Sequence, residues 1–471
     1  MAAAGMRTWT DSLANVHSLA AAADPAAPRI LIGSHYDTVH DGGKYDGALG
    51  IIAGIAAVKA LLLEAVLAKG IVSVAELEQA AAATTAGQSL NLSQLLPAGS
   101  ANAQHLLATP VHVVAFSDEE GVRFQSTFLG SRAVAGSLDT GMLEAADADG
   151  MTVRQALEQA GFDPSPAALS SAMLRPEQLQ AYVEVHLEQG PVLEAAGQRL
   201  GAVAAIAGQS RLLVEIVGEQ GHAGTVPMRS RRDPLAAAAE LMGQLERLCN
   251  GGGHPQPTNP ELASDDSLVC TVGAMSIWPG ASNVIPGATN FTIDVRSRWD
   301  DNRKRVIQQL ESSMQAVCKR RGLRCHLHPK NEAAAVEANP GVVQRLAEAA
   351  AEPEPLLQRL LARHGADGSK PAPAGACAAG SAGASRELAA EGSASGSCSS
   401  SGSLNVAPVL VSGAGHDAMV FAGVTRMGML FVRCRGGISH SPQEHVAPDD
   451  VAAATAALYH YLRREALPPA S

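Results

Sequence analysis

Short apolar segments of strand length alternate with helical patterns along this chain, and that order constrains the fold more than any other feature. The segments predicted to be strands cover residues 29–33, 112–117, 181–186, 408–412 and 429–433. A longer apolar stretch over residues 47–67 has the length of a helix. Strands that are separated by helices predict an α/β domain with a largely parallel sheet.

The segment from residue 208 to residue 328 has a different pattern. It contains the alternating runs RLLVEIVG, SLVCTVGAM and NFTIDVRS, and two helical patterns, DPLAAAAELMGQLERL and NRKRVIQQLESSMQAVCK. Alternation with a period of two predicts strands that bury one face. We therefore predict a smaller α+β domain at residues 208–328, inserted between the two parts of the α/β domain at residues 1–207 and 329–471.

Two further stretches have compositions that cannot bury a core. Residues 72–108 include AAAATTAG and LPAGSANAQ, and residues 354–404 include GSASGSCSSSGS. Segments rich in Gly, Ser and Ala lack the apolar side chains that offset the entropy of ordering a chain. We expect both stretches to be low-complexity insertions at the surface.

Composition excludes several classes of protein. The net charge is −11 and aromatic residues make up only 3%, which argues against a basic nucleic-acid-binding surface with stacking side chains.

The stretch over residues 51–67 is interrupted by Lys59 and Glu64, so we expect a buried helix and not a membrane span. The N-terminal segment MAAAGMRTWTDSL has no charged region followed by an apolar one, so no signal peptide is predicted.

The seven cysteines are scattered along the chain without a CxxC spacing. An odd and scattered set predicts neither a disulfide framework nor a thiolate zinc site. Cys318 and Cys325 are the nearest plausible pair, but we expect buried free thiols.

Residues able to bind metal ions follow the predicted strands or precede a helix. They are His35, Asp46, Asp118, Glu119, Glu120, His186 and His440. Any one of these is a weak signal, because a strand-end histidine or an acidic turn is more often structural. Ligands of open α/β sheets collect at the carboxyl ends of the strands, so the whole set should meet at one edge.

Imidazole and carboxylate groups in this mixture suit borderline to hard divalent ions. Two metals roughly 3.5–4 Å apart need a bridging carboxylate, and Asp46 is the natural bridge. Asp37 comes two residues after His35 and can accept the ring N–H of that histidine.

Eight longer motifs resemble those of the allantoate deiminases, which belong to the M20 metallopeptidase-like superfamily. They are GSHYDTV, GGKYDGALG, SDEEGVRFQSTFLGSRAVAG, YVEVHLEQGPVLE, EQGHAGTVPM, WPGASNVIPG, SGAGHDAM and FVRCRGGISHSPQEH. The resemblance covers most of residues 6–456 outside the two insertions. It implies a split zinc-exopeptidase-like catalytic domain of α/β class, with the inserted α+β domain as a ferredoxin-like lid that also forms a homodimer.

The resemblance also implies a dinuclear metal site. His35 and His186 would hold one ion, Glu120 and His440 would hold the other, and Asp46 would bridge them. Manganese is implied by the resemblance, while the ligand types alone also allow zinc.

Catalytic roles follow from the same motifs. Glu119 would be the general base, and His222 would reach across the dimer interface to stabilise the oxyanion in the partner's site. The expected reaction is hydrolysis of a ureido C–N bond of allantoate to ureidoglycine, ammonia and carbon dioxide, with a small-molecule ureide as the substrate.

A second set of residues is expected at the substrate. Asn283 and Arg296 resemble the pair that holds the substrate carboxylate, since a guanidinium fork matches two carboxylate oxygens. Gln209 matches the substrate region, and His416 is a further candidate for a substrate contact. Arg231 is expected to be structural.

Other interpretations remain open at this point. N-carbamoyl-L-amino-acid hydrolases and ureidoglycolate amidohydrolases share the metal motifs, although EEGVRFQSTFLGS is more similar to the allantoate branch. Family members usually carry further helices before MRTWTDSLANVH, so a truncated and inactive dimeric binding partner is the alternative of another class. Plant relatives imply the endoplasmic reticulum, and the cytoplasm is the alternative compartment.

Overall fold

A computed structural model describes residues 1–82, 91–92, 106–250, 267–352 and 406–468. The insertion expected at residues 354–404 lies outside the described residues, as does most of the one expected at 72–108. Residues 74–82, which lie inside the insertion expected at 72–108, form a helix. Glu76 bonds Ser73 at its start, which stabilises the first turn.

Helices separate the strands that begin at residues 29, 111, 179 and 427, as the sequence predicted for the α/β part. The strands are β1 (Arg7–Thr10), β2 (Val16–Ala20), β3 (Arg29–His35), β4 (Val111–Phe116), β5 (Leu179–Leu187), β6 (Leu200–Ile206), β7 (Gly208–Val217), β8 (Gly221–His222), β9 (Val269–Thr271), β10 (Met275–Trp278), β11 (Val284–Ile285), β12 (Ala288–Ser297), β13 (Arg324–Ala333), β14 (Val336–Glu337), β15 (Val409–Ser412) and β16 (Met427–Val432). The α-helices are α1 (Ala48–Ala68), α2 (Val74–Ala82), α3 (Leu129–Ala135), α4 (Val153–Gln159), α5 (Pro166–Ala172), α6 (Val192–Ala195), α7 (Pro234–Cys249), α8 (Asp300–Arg321), α9 (Pro340–Ala350), α10 (Ala418–Phe421) and α11 (Pro448–Ala466).

A nine-stranded sheet forms the larger unit, in the order β1-β2-β4-β3-β5-β16-β6-β14, with β15 paired to β6. The central strands β4, β3, β5 and β16 run parallel to one another. The pairs β1–β2, β2–β4, β16–β6 and β14–β6 are antiparallel. The α/β class is confirmed, and the predicted parallel arrangement holds at the centre of the sheet.

Apolar side chains pack on both faces of this sheet. On β3, Ile30 and Ile32 point into the cluster beneath α1 and α11, while Leu31 points into the cluster on the other face. Strands that are buried on both faces read as continuous apolar runs, which explains the pattern of β3. Helix α1 is long and apolar enough to cross a bilayer. However, 61% of its most apolar 18-residue segment is buried, as in the core helix of a globular domain.

A second, five-stranded antiparallel sheet is built from residues 208–333, in the order β10-β12-β7-β13, with β9 paired to β12. Alternate residues of β7 and β12 are buried beneath α7 and α8, which accounts for the period-two patterns in the sequence. The residues on the opposite face of β7 and β12 are half-buried or exposed. This arrangement matches the expected α+β lid, and the domain boundaries themselves stay a prediction.

The expectation of free thiols is wrong for four of the cysteines. Cys249 pairs with Cys270 and Cys318 pairs with Cys325, with Cα–Cα distances of 6.1 and 6.3 Å. Each disulfide ties the carboxyl end of a lid helix to an adjacent strand. The sequence did not reveal the first pair because the two residues are 21 positions apart and meet only when α7 packs on the sheet.

Candidate active site

Four parallel strands bring the predicted metal-binding residues to one edge of the large sheet. His35 is the last residue of β3, His186 is the penultimate residue of β5, and the acidic turn of Glu119 and Glu120 follows β4. Asp46 lies just before α1, and His440 follows β16. The convergence predicted from the strand order is therefore present in the structure.

One group of donors lies deep in the protein. Nε2 of His186 is 3.1 Å from Oδ1 of Asp46, and Nε2 of His35 is 3.7 Å from the same oxygen. The two imidazole nitrogens are 3.5 Å apart. All three side chains are buried. Three donor atoms this close to one another can hold a divalent ion between them.

A second group lies nearer the surface and shares Asp46. Nε2 of His440 is 3.1 Å from Oδ2 of Asp46 and 3.2 Å from Oε1 of Glu120. His440 is exposed and Glu120 is half-buried. One carboxylate therefore directs each of its oxygens to a different donor group, which is the arrangement a pair of bridged metal ions requires.

The charges within the site are strongly coupled. Burial lowers the pKa of His186, but its hydrogen bond to Asp46 and the charges of Asp46 and Glu184 outweigh burial and raise that pKa to about 9. Hydrogen bonds to Asp46 and Glu120 raise the pKa of His440 to about 10. Burial raises the pKa of Asp46, yet its bonds to His186 and His440 lower it overall. The carboxylate that both donor groups share is therefore ionised.

Glu119 lies beside the metal-binding residues, but it belongs to neither of the two donor groups that share Asp46. Its side chain is buried, and Oε2 is 3.9 Å from Nε2 of His35. Burial raises its pKa well above the ordinary value, and the nearby carboxyl groups of Asp417 and Glu120 raise it further. A carboxyl group in this environment can both accept and hold a proton, as a general base and acid must.

Asp37 contacts the ring of His35, as the sequence predicted, but through its backbone. Nδ1 of His35 lies 2.9 Å from the backbone carbonyl oxygen of Asp37, so that carbonyl and not the carboxylate accepts the ring N–H. The Asp37 carboxylate accepts the backbone N–H groups of Glu119 and Glu120, each at 3.1 Å. Asp37 therefore orients both the histidine and the acidic turn, one through its backbone and the other through its side chain.

His416 is placed behind the metal-binding residues and not at an open surface. It is 2% exposed, and its ring meets that of His186 edge-on at a centroid distance of 4.4 Å. Nε2 of His416 is 2.7 Å from Oγ of Ser412. Burial and the charge of His186 lower its pKa well below the ordinary value, so the ring is neutral. Its predicted contact with substrate stays a prediction.

Two residues at the site were missed by the sequence reasoning. Nε2 of Gln189 donates to Oδ2 of Asp46 at 3.0 Å, and Gln189 also lines the neighbouring cleft. Oε1 of Glu444 accepts the backbone N–H groups of Tyr45 and Asp46 at 2.8 and 3.1 Å. Both lie within four residues of a predicted metal-binding histidine, His186 or His440, and that proximity was the available signal.

A cleft of about 890 Å³ lies between the open face of the lid sheet and the strand ends of the large sheet. Arg296 lines it, and its guanidinium makes two 3.0 Å hydrogen bonds to the carboxylate of Asp294. The remaining terminal nitrogen donates to the carbonyl oxygen of Gly413 at 2.8 Å. Gln209 is the cross-strand neighbour of Arg296 on β7. The guanidinium of Arg296 therefore lies at the cleft. There it already bonds Asp294 of the lid and Gly413 of the catalytic domain.

His222 and Asn283 lie together elsewhere on the lid. The short strand β8 pairs with β11, and the carbonyl of Asn283 accepts the N–H of Ala223 at 2.9 Å. Both His222 and Asn283 are exposed. The imidazole of His222 accepts a hydrogen bond within its own turn, from the N–H of Gly224. Arg231 bonds two backbone carbonyls of the same loop, as expected of a structural residue.

Comparison with known proteins gives the family. The sequence profile of Peptidase family M20/M25/M40 matches residues 86–369 and 392–464. The chain belongs to this family. It is accordingly a hydrolase, and its donor groups are suited to the divalent ions used by such enzymes.

Three relatives show the range of similarity. A protein of Arabidopsis thaliana named allantoate deiminase is 40% identical over 98% of this chain and 74% of its own length. An N-carbamoyl-L-amino-acid amidohydrolase of Pseudomonas sp. (strain NS671) is 31% identical over 98% of this chain and 87% of its own. The crystal structure of a hydantoinase/carbamoylase family amidase from Burkholderia multivorans superposes with a TM-score of 0.70 at 26% identity, covering 99% of this chain and 88% of that one.

Proposed function

We propose that this chain is an allantoate deiminase, which hydrolyses a ureido C–N bond of allantoate to ureidoglycine, ammonia and carbon dioxide. The observation that carries the proposal is the pair of donor groups that share Asp46, with the buried Glu119 beside them. The 40% identity to a relative named allantoate deiminase supports allantoate over other ureides, because an N-carbamoyl-L-amino-acid amidohydrolase is 31% identical.

His35 and His186 would hold one divalent ion, and Glu120 and His440 would hold another, with Asp46 between them. The donor set fits, because it contains imidazoles and carboxylates within 4.8 Å of one another and no thiolate. We propose manganese, although zinc has the same types of ligand. When bound, the ions supply Lewis acidity that polarises the scissile carbonyl and makes water a stronger acid.

Glu119 would move the proton. Its carboxylate accepts a proton from the attacking water and then delivers that proton to the departing nitrogen. Its burial supports this role, since a carboxyl group with a raised pKa holds a proton well enough to transfer it. Gln189, which is bonded to Asp46, would keep the shared carboxylate oriented.

The substrate would be held by the lid. We assign the carboxylate of allantoate to Arg296, with Gln209 beside it on β7. Asn283, which lies with His222, and the buried His416 stay candidates for other substrate contacts. Arg296 is bonded to Asp294 and to the Gly413 carbonyl, so binding of a substrate carboxylate would exchange the carbonyl contact for a charge-assisted one. Such an exchange would couple substrate binding to a movement of the lid relative to the catalytic domain.

A homodimer through the lid would complete the site, with His222 of one subunit acting in the other. The exposed position of His222 supports action in trans. The edge strand β10 supports a lid interface, because it ends the second sheet and exposes Met275, Ile277 and Trp278. Among the described residues β10 pairs only with β12, and an apolar edge of this kind is suited to strand pairing with another chain.

An oxidising compartment, the endoplasmic reticulum, is our proposal for where the chain works. The two lid disulfides support it, because disulfides persist in oxidising compartments and are rare in the cytosol. Thiol alkylation of protein that is extracted from cells without reductant tests this proposal. Four protected lid cysteines are expected, and full alkylation would place the protein in a reducing compartment.

The function is tested with the purified chain loaded with Mn²⁺. Ammonia release is measured with allantoate, ureidoglycolate and an N-carbamoyl-L-amino acid as substrates. The proposal requires the highest kcat/KM for allantoate. A higher value for another substrate would reassign the substrate class, and a metal-loaded chain inactive on all three would favour the interpretation as a binding partner.

A further inference from the structure

The acidic turn of residues 117–120 is held in an unusual conformation. Asp118 has a φ of 50°, in the left-handed region that residues other than glycine rarely adopt. This residue immediately precedes Glu119 and Glu120. A strained turn that carries reactive groups persists only where its surroundings hold it, so the contacts of the turn decide where those groups lie.

Asp37 bonds the turn at Glu119 and Glu120, and Asn15 bonds it at Ser117. Asn15 is fully buried in the loop between β1 and β2. Its Oδ1 accepts the backbone N–H of Ser117 at 2.9 Å, while the Ser117 hydroxyl donates to the Leu13 carbonyl at 2.5 Å. Its Nδ2 donates to the Gly130 carbonyl at 3.1 Å and to Oδ2 of Asp11 at 2.9 Å.

The segment that enters α3 completes this arrangement. The N–H of Gly130 donates to the Ser117 carbonyl at 3.0 Å. The N–H of Phe128 donates to the Glu119 carbonyl, also at 3.0 Å. A Cβ at position 130 would lie 2.1 Å from Oδ1 of Asn15 and 2.7 Å from the backbone nitrogen of Ser117. Only glycine allows the backbone to approach so closely. The amide of Asn15 therefore joins the start of the turn to the segment that packs against it.

We propose that Asn15 is a positioning residue that sets where Glu119 and Glu120 lie. The inference rests on the proposed function, because it takes Glu119 as the base and Glu120 as a metal-binding residue. An amide suits the position, since it offers a donor for Gly130 and an acceptor for Ser117 within one rigid group. Asn15 reaches the reacting atoms only through the turn, so its loss should misplace groups that substrate and metal contact directly.

The test compares Asn15→Ala with Asn302→Ala. Asn302 is 6% exposed in the first turn of α8 on the lid, so the control removes another buried amide away from the turn. Mutation of residues that orient a metal site typically costs about 10–100-fold in activity or metal affinity. For Asn15→Ala we expect a decrease of this size in kcat and in the affinity for Mn²⁺, with KM retained. Asn302→Ala should change only the melting temperature.

The outcomes separate this inference from the proposed function. If kcat and Mn²⁺ affinity of Asn15→Ala match those of the control, Asn15 only supports the fold. If Asn15→Ala does not fold, Asn15→Asp decides, because it keeps the shape and the acceptor for Ser117 but removes the N–H that bonds the Gly130 carbonyl. Wild-type kcat and Mn²⁺ affinity of Asn15→Asp would overturn the inference. Titration with Mn²⁺ needs no substrate, so it gives an answer even if the wild type fails to hydrolyse allantoate.

Discussion

Oδ1 of Asp46 lies 3.1 Å from Nε2 of His186. The other carboxylate oxygen, Oδ2, lies 3.1 Å from Nε2 of His440. A single side chain therefore faces both donor groups, and neither group is complete without it. Glu444 accepts the backbone N–H of Asp46 and Gln189 donates to its carboxylate, so the shared ligand is held at both its backbone and its side chain.

Removal of the shared carboxylate should release both metal ions. We expect Asp46→Ala to lose most of its bound metal, because the side chain serves both donor groups. Metal analysis of the dialysed variant checks this, with Asp41→Ala as a control that changes an exposed carboxylate of the same loop. Full metal occupancy in Asp46→Ala would exclude a bridging role.

Loss of the proton-transferring group should affect the chemical step alone. Glu119→Gln keeps the shape of the side chain, so metal content should be unchanged while kcat falls by about 10²–10⁴-fold, the usual contribution of general acid–base catalysis. Steady-state kinetics and metal analysis on the same preparation measure both quantities. Activity close to that of the wild type would assign the base elsewhere.

Subunit mixing tests whether His222 acts in trans. His222→Ala and Glu119→Gln should each be inactive alone, but a mixed dimer has one site with an intact His222 facing an intact Glu119. Part of the activity should therefore return after subunit exchange, which native mass spectrometry can verify. If exchange occurs without any recovery, the site is built within one chain.

Specificity for the substrate carboxylate should depend on the guanidinium fork of Arg296. Arg296→Lys keeps the charge but loses the planar fork. Because a charge-assisted hydrogen bond contributes about 1.5–3 kcal/mol, kcat/KM should fall roughly 10- to 100-fold. Arg433→Lys is the matched control, since Arg433 makes the same two-pronged contact with Asp450 outside the cleft.

The decisive comparison for Arg296 uses an allantoate analogue with a neutral amide in place of the carboxylate. The wild type should strongly prefer allantoate, and Arg296→Ala should lose most of that preference. Undiminished discrimination by the variant would mean that Arg296 serves only to bind Asp294 and Gly413.

The two lid disulfides should contribute unequally to stability. In the chain-entropy account, the stabilisation increases with the number of residues that the bond encloses. Cys249 and Cys270 are 21 positions apart, and Cys318 and Cys325 are seven apart. The double variant Cys249→Ser/Cys270→Ser should therefore lose about 1 kcal/mol more than Cys318→Ser/Cys325→Ser. Denaturant unfolding measures the difference, and an equal or reversed order would contradict the loop-length argument.

Several elements could be predicted because their signals are local. The apolar runs of β3, β4, β5 and β16 and the apolar stretch of α1 are periodic patterns in neighbouring residues, and each appears within a few residues of its predicted bounds. The motifs around His35 and His186 directly follow such runs. The rule that ligands gather at the carboxyl ends of parallel strands then placed the metal-binding residues at one edge.

The sequence by itself determined the α/β class, the inserted α+β segment and the types of donor that meet at the site. Only the tertiary structure decided which atoms meet. Asp46 and Glu444 are 398 positions apart, and Asn15 and Ser117 are 102 apart. Strand periodicity carries no information about such pairs, because a hydrogen bond depends on atomic positions within a few tenths of an ångström. Those positions are set by the packing of the whole core, which is why Asn15, Gln189 and the Cys249–Cys270 disulfide became visible only in the fold.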